Sequence, residues 1–502
     1  MKKNRLTLLT IFATVVLSAC SKDFLNNRPT NAITDDQIFN TADNVETVIN
    51  GTWSYMFESF FTYAVPGYKS IDLTSDAMGS DVAVTLKYGL RDAYAYGEML
   101  DKTQNRVGAY WGLLYKVIDN ANNIIAKVDN ATGDEGQKAY LKGQAYALRA
   151  YCYLTLASYY QLSVKTNPNA KAVPIYTEPS TSTTPGKPRE TIARVYQQVI
   201  DDLLKAEPLL KNYQRDGAKK WKIDLHVAQG LLARAYLYSG KYADAATKAA
   251  AARSGYSLMS GDDYNKGFND VNNVEWIWGH GQTPNQSNAS YNFNYLDVSS
   301  AASYYYSFMA DPFFKDNFTQ GDVRTRLFEW DTTPSREGFL RYKKFRFRDP
   351  QAMVGDLVLM RAAEMYLIEA EAYAESGNQG KAVEALNTLR NARNAVPYDP
   401  AHAGNLKDTI LLERRKELWG EGFSLSDIIR TGGTVNRRAF LSFNGGDSII
   451  KVPRANGTFK SVKAVGHRIL SFPNKVPFTP NSTNYLFAIP IAEEQNNPNL
   501  YN

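Results

Sequence analysis

A short pattern that occurs twice in this 502-residue chain constrains its fold more than any other feature. Residues 235–240 have the sequence AYLYSG and are followed by Ala245, and residues 372–377 have the sequence AYAESG and are followed by Ala382. In each copy the glycine permits a sharp turn after a helix, and the alanine permits a second helix to approach the first closely. The pattern therefore predicts two helical hairpins.

Paired helices of this kind are typical of tetratricopeptide repeats, which stack to bury a continuous core. Apolar residues recur at helical spacing over about 40–260 and 355–430, and further helix pairs are expected at 105–160 and 190–212, for about four repeats in all. A helix is predicted around 360–375, with an apolar stripe formed by Met360, Ala363, Leu367, Ala370 and Ala374. The expected fold class is mainly α, a tetratricopeptide-like helical repeat scaffold.

Two other regions, about 260–350 and 431–502, differ from the scaffold in composition. They are rich in Gly, Asn, Ser, Thr, Pro and aromatic residues, and their apolar runs are as short as residues 274–278. This composition predicts loops, short strands and short helices. Because 260–350 interrupts the helical pattern, we expect both regions to form one loop-rich second lobe, and 40–502 to be a single unit.

The N-terminus has the pattern of an export signal that ends at a lipidated cysteine. Basic residues precede an apolar stretch at 6–17, which is too short to cross a bilayer that needs about 20 apolar residues. Leu17 stands three positions before Cys20, with small residues between them. We expect 1–19 to be a lipoprotein signal peptide and 20–39 a lipidated tether. The alternative is an ordinary secretory signal in which Cys20 is incidental.

Charge and residue usage argue against several other kinds of function. The formal net charge is +6 and falls to +3 without the three basic residues of the signal, which does not favour nucleic-acid binding. The four histidines have no metal-ligand spacing, and no nucleophile motif or phosphate-binding loop is present. We therefore expect no cofactor, no metal and no catalysis. The remaining thiol, Cys152, lies in an apolar run that predicts burial.

Several short motifs in fixed order give the sequence a resemblance to a known family. They are residues 148–151, 202–206, 322–324, 361–372, 414–418, 421–422, 427–430 and 489–500. Together they strongly resemble the RagB/SusD family of nutrient-binding outer-membrane lipoproteins, over nearly the whole mature chain. One departure falls at 423–427, where the family often has a basic residue soon after the glycine.

This resemblance implies a SusD-like fold and a place on the outer face of the outer membrane, held by a lipid anchor. It also implies a partner, a SusC-like TonB-dependent transporter barrel, to which the protein delivers a captured oligosaccharide. Family members that capture peptides leave a peptide ligand as an alternative. Two further alternatives are a tetratricopeptide scaffold that binds only protein, and a surface hydrolase.

Aromatic residues in polar, loop-like stretches are the candidates for ligand binding. Sugars present C–H faces that stack on Tyr or Trp, and hydroxyls that need polar partners. Residues 88–96 and 285–306 offer both. The predicted ligand-binding residues are Tyr88, Arg91, Tyr94, Tyr96, Asn292, Tyr295, Tyr304 and Tyr305. The competing interpretation is that these side chains pack the second lobe. The basic and aromatic run at 341–348 is interpreted as a half-buried strand with a solvated face.

Overall fold

Helices make up most of the architecture in the computed structural model, which describes residues 38–62, 65–85, 89–286, 289–402, 404–454 and 456–502. In chain order, the α-helices described there are α1 (Ala42–Glu58), α2 (Lys69–Ala77), α3 (Arg91–Tyr94), α4 (Asn105–Lys127), α5 (Glu135–Tyr160), α6 (Ile192–Leu210), α7 (Leu225–Tyr238), α8 (Tyr242–Ala252), α9 (Gly261–Tyr264), α10 (Phe293–Leu296), α11 (Pro312–Lys315), α12 (Ala362–Glu375), α13 (Gln379–Ala392), α14 (Leu406–Glu417), α15 (Ser424–Thr431) and α16 (Ile491–Asn496). None of these described helices is both long enough and apolar enough to span a membrane.

The β-strands are short, and most lie outside the helical scaffold. In chain order they are β1 (Phe60–Thr62), β2 (Val65–Pro66), β3 (Val82–Val84), β4 (Trp276–His280), β5 (Phe308–Ala310), β6 (Phe328–Trp330), β7 (Leu340–Tyr342), β8 (Leu357–Arg361), β9 (Ile449–Pro453) and β10 (Phe459–Lys463). One sheet has the order β3-β5-β7-β6, while β1–β2, β4–β8 and β9–β10 form antiparallel pairs.

The two predicted helical hairpins are confirmed. Helices α7 and α8 form the first, with Gly240 at φ +78° in the turn, and helices α12 and α13 form the second, with Gly377 at φ +80°. Ala245 and Ala382 are fully buried at the contacts between the paired helices. Helix α8 also packs on α12, so the two hairpins stack although about 110 residues separate them in sequence, as expected of helical repeats.

Helix packing continues on the N-terminal side of these hairpins, where α4 packs on α5, α5 on α6, and α6 on α7. The expected fold class is therefore confirmed as a tetratricopeptide-like helical scaffold. The helix predicted around 360–375 begins only at Ala362, because the apolar run before it pairs as β8 with β4. The run at 341–348 is strand only as far as Tyr342, although Phe345 and Phe347 point into the core.

A cluster of charged side chains connects the helical scaffold to the loop-rich segments. We call it the buried ion network, and it consists of Glu275, Arg324, Arg361, Arg393, Glu413 and Glu417, all fully or almost fully buried. Glu417 lies at its centre, with Nη1 of Arg361 at 2.6 Å, Nη1 of Arg324 at 2.8 Å and Nη2 of Arg393 at 2.8 Å. Three of the motifs that carry the family resemblance supply Arg324, Arg361 and Glu417, so these three motifs have a structural role here.

The last residues of the chain are bound to its N-terminal half. The backbone amide of Phe487 donates to the carbonyl of Tyr159 at 2.8 Å, and that of Ala488 donates to the carbonyl of Met99 at 2.8 Å. Further along, the carbonyl of Leu500 accepts from the amide of Arg189 at 3.3 Å. The C-terminal segment is therefore part of the scaffold and not a loose extension.

Candidate functional site

The two stretches predicted to bind ligand lie next to each other. Strand β3 pairs antiparallel with β5, and the amide of Thr85 donates to the carbonyl of Ser307 at 3.0 Å just beyond the paired residues. The first stretch follows β3 in sequence, and Tyr304 and Tyr305 of the second stretch precede β5. This pairing brings parts of the two sequence-distant stretches together at one edge of the small sheet.

A cluster of four tyrosines occupies this edge, and we call Tyr291, Tyr295, Tyr304 and Tyr305 the tyrosine cluster. The rings of Tyr295 and Tyr305 stack with centroids 4.7 Å apart, and the Tyr304 ring lies 6.4 Å from that of Tyr305. The hydroxyls of Tyr291 and Tyr305 share a hydrogen bond. Tyr295 is buried, Tyr291 and Tyr305 are half-buried, and Tyr304 is 58% exposed. The cluster thus rises from the core to the surface, with Tyr304 outermost.

Asn294 holds the outer part of the cluster in place. Its side-chain oxygen accepts from the amide of Tyr304 at 3.0 Å, and its carbonyl accepts from the amides of Tyr305 at 3.1 Å and Tyr306 at 2.8 Å. The backbone at Tyr306 is left-handed, with φ +48°, which turns the chain into β5. Asn294 was not among the predicted site residues. Its side chain bonds backbone ten residues later, beyond the range of a local Asx turn, so no local sequence signal would have identified it.

Arg106, at the start of α4, links the same region to the first stretch. Its buried guanidinium donates to Oε2 of Glu98 at 2.9 Å and to the carbonyl of Gly89. Burial raises the pKa of Glu98, although Arg106 opposes that effect. Burial lowers the pKa of Arg106, but Tyr110, Glu98 and, to a smaller extent, Tyr295 raise it above its ordinary value. Arg106 is therefore a buried charge that holds Gly89 of the first stretch and acts electrostatically on Tyr295.

The other predicted residues occupy different environments. Arg91 is exposed and pairs with the adjacent Asp92 at 3.0 Å. Asn292 is fully buried, and its amide donates to the carbonyl of Pro66 at 3.4 Å. Tyr88 and Cys20 lie outside the described residues.

Tyr94 and Tyr96 are core residues, which corrects the expectation that they stack on a ligand. Both are fully buried, and the hydroxyl of Tyr94 bonds Nδ1 of His467 at 2.9 Å. The ring of Tyr96 packs on Phe472 and Phe478, with centroids 5.0 and 5.4 Å away. These contacts come from residues 467–478, which cover both rings and leave no face for a sugar.

Histidines and carboxylates do not assemble into a metal site in the part of the chain that the structure describes. No group of three or more His, Cys, Asp or Glu side chains there could hold an ion. Burial lowers the pKa of His280 to about 4 and that of His467 to about 3, so both rings are neutral at physiological pH. Cys152 is buried, and burial raises the pKa of its thiol, which makes it unreactive.

Comparisons with known proteins agree with this architecture. A family model described as "SusD family" matches residues 331–502, and one described as "Starch-binding associating with outer membrane" matches residues 23–237. A solved structure described as a SusD-like carbohydrate binding protein from Bacteroides vulgatus ATCC 8482 is 42% identical, with a TM-score of 0.87, and the match covers 92% of this chain and 98% of that chain. The chain belongs to the SusD family.

More distant relatives extend the comparison. SusD-like protein P38 of Formosa agariphila is 25% identical over 383 residues, which are 65% of this chain and 72% of that protein. A structure described as a laminarin binding SusD-like protein is 19% identical with a TM-score of 0.67, and the match covers 91% of this chain and 98% of that chain. At that level of identity the likeness concerns the fold alone.

Proposed function

We propose that this protein is a surface-exposed, lipid-anchored binding protein that captures oligosaccharides and delivers them to a TonB-dependent transporter. The observation that carries the proposal is the tyrosine cluster, with Tyr304 exposed at its outer end, in a chain that belongs to the SusD family. Its 42%-identical structural relative is described as carbohydrate binding, which supports the ligand class. The site would act by binding alone, without catalysis.

The chemistry of the tyrosine cluster suits a sugar. Tyr304 offers an exposed ring on which the C–H face of a pyranose can stack, and tyrosine hydroxyls supply hydrogen-bonding partners. The backbone bonds from Asn294 fix the position of Tyr304 before a ligand arrives, which lowers the entropic cost of binding. A single exposed ring gives moderate affinity, and moderate affinity allows the ligand to be released to the transporter.

Calorimetry on the mature chain from Ser21 onward tests this proposal with a panel of neutral oligosaccharides and oligopeptides. We expect one glycan series to bind, and Tyr304→Ala to weaken that binding about tenfold, as loss of a stacking ring does. Phe443→Ala is the matched control, because Phe443 is a fully exposed aromatic outside the tyrosine cluster, and it should leave the affinity unchanged.

Each other outcome of the panel has a definite meaning. Binding to peptides alone would replace the ligand class and keep a capture role. If neither class of ligand binds, but the protein forms a stable complex with the transporter barrel, the result would favour a scaffold that binds only protein. Equal affinity in Tyr304→Ala and the unmodified protein would remove the tyrosine cluster from the ligand site.

A further inference from the structure

A second concave site lies along helix α4, away from the tyrosine cluster. Trp111, Tyr115 and Asp119 recur at four-residue spacing on one face of α4 and line a cavity of about 290 Å³. The loop that carries Tyr176 and Thr181, and Glu493 of α16, close its other sides. Arg106, which bonds Gly89 of the first stretch, precedes Tyr115 by nine residues, or roughly 14 Å along the helix. We call this cavity the α4 pocket.

Three aromatic rings form the walls of the α4 pocket at fixed angles. The Trp111 and Tyr115 rings have centroids 4.7 Å apart, and the Tyr115 and Tyr176 rings meet edge to face at 6.0 Å. The Tyr115 hydroxyl donates to the carbonyl of Pro174 at 2.8 Å, and the Trp111 indole donates to Oε2 of Glu493 at 3.3 Å. These bonds hold the rings in place without a ligand, so the pocket is preorganised.

A carboxylate with spare accepting capacity faces the same space. Oδ1 of Asp119 accepts from the amide and the hydroxyl of Ser180 at 2.8 and 2.6 Å, while no donor among the described residues reaches Oδ2. The hydroxyls of Thr181 and Thr184 stand at the exposed rim. Among the described residues that line the cavity there is no lysine or arginine, and Asp119 and Glu493 are the two acidic ones.

We propose that the α4 pocket is a second saccharide site, which takes one uncharged pyranose unit. Aromatic walls suit the C–H faces of the ring, and the free oxygen of Asp119 and the rim hydroxyls suit its hydroxyl groups. The two carboxylates disfavour sugars that carry carboxylate or sulfate groups. The inference rests on the proposed function for its ligand class, but on different residues. Two sites on one chain would hold a long glycan more tightly than either alone.

The pocket can be observed directly through Trp111. In protein labelled with 5-fluorotryptophan, the ¹⁹F signal of Trp111 is assigned with Trp111→Phe. Maltotriose, cellotriose, laminaritriose, glucuronate and choline are then titrated in turn. We expect a neutral trisaccharide to shift this signal and glucuronate to leave it in place. Asp119→Asn and Tyr176→Ala should each raise the dissociation constant about tenfold. Asp129→Asn is the matched control, an exposed carboxylate outside the pocket.

Four outcomes separate this inference from the proposed function. A Trp111 signal that no neutral trisaccharide moves overturns the second site, whereas calorimetric binding that depends on Tyr304 would still support the first. A shift that disappears in Tyr304→Ala also overturns it, because the signal then reports the tyrosine cluster. A response to choline and not to sugars would make the pocket an ammonium site and refute the saccharide assignment. Absence of any saccharide binding defeats both proposals.

Discussion

Replacement of Glu417 by glutamine removes the central negative charge of the buried ion network. Arg324, Arg361 and Arg393 all donate to this carboxylate, and all four side chains are fully buried. Loss of one partner from a buried ion pair costs about 3–5 kcal/mol, because the remaining charge stays desolvated. Three arginines share the loss here, so we expect the upper part of that range. An unfolding entropy of about 2.1 cal/mol/K per residue gives a total of roughly 1 kcal/mol/K for this chain. Dividing the loss in free energy by this entropy gives a Tm that is lower by about 4–5 °C.

Thermal unfolding followed by circular dichroism measures this loss in Glu417→Gln. Glu375→Gln is the matched control, since Glu375 pairs with Lys407 at 2.9 Å on the surface. An exposed pair contributes at most about 1 kcal/mol, so the control should unfold within about 1 °C of the unmodified protein. Equal Tm values for the two variants would show that the arginines do not depend on Glu417, and would refute the reasoning about the network.

Three further outcomes are expected. Burial would raise the pKa of Glu413, but Arg324, Lys416 and Arg390 lower it to about 2. Its contribution to stability should therefore be lost as the pH falls from its ordinary pKa of 4.5 toward 2. Denaturant unfolding at several pH values measures the free energy of unfolding, and a constant value over that interval would contradict the prediction. Gly67→Ala should cost at least about 1–2 kcal/mol in denaturant unfolding, because φ is +64° and a Cβ would lie 2.4 Å from the carbonyl oxygen of Phe57, whereas Gly217→Ala, in open space, should cost little. Cys20→Ser should abolish incorporation of labelled palmitate and release the protein from the membrane fraction, and retention there would point to another anchor.

The helical part of the fold was predictable because its signals are local. The AYLYSG and AYAESG patterns identified two hairpins from glycine and alanine positions that the structure confirms. The start of α12 was not predictable in this way. The run before Ala362 continues the apolar stripe, but it becomes β8 because Trp276–His280, more than 75 residues earlier, pairs with it. Tertiary pairing overrides local periodicity at such a boundary.

The candidate site was predictable only in part, for the same physical reason. Composition selected the two stretches that meet at the β3–β5 pair. It could not distinguish Tyr94 from Tyr304, because both are tyrosines in polar surroundings in the sequence. The difference arises from His467 and Arg437, which cover Tyr94 from the far end of the chain, whereas Tyr304 stays 58% exposed. Burial by distant segments has no local signature.

The attachment of the C-terminal segment has a consequence for how the protein is made. The carbonyls of Met99 and Tyr159 accept from the amides of Ala488 and Phe487, which are synthesised more than 300 residues later. Folding can begin as a chain emerges from the ribosome, but these two bonds form only after residues 487 and 488 have left it. A chain truncated before residue 487 would therefore lack the backbone bonds that hold residues 99 and 159 to the C-terminal segment.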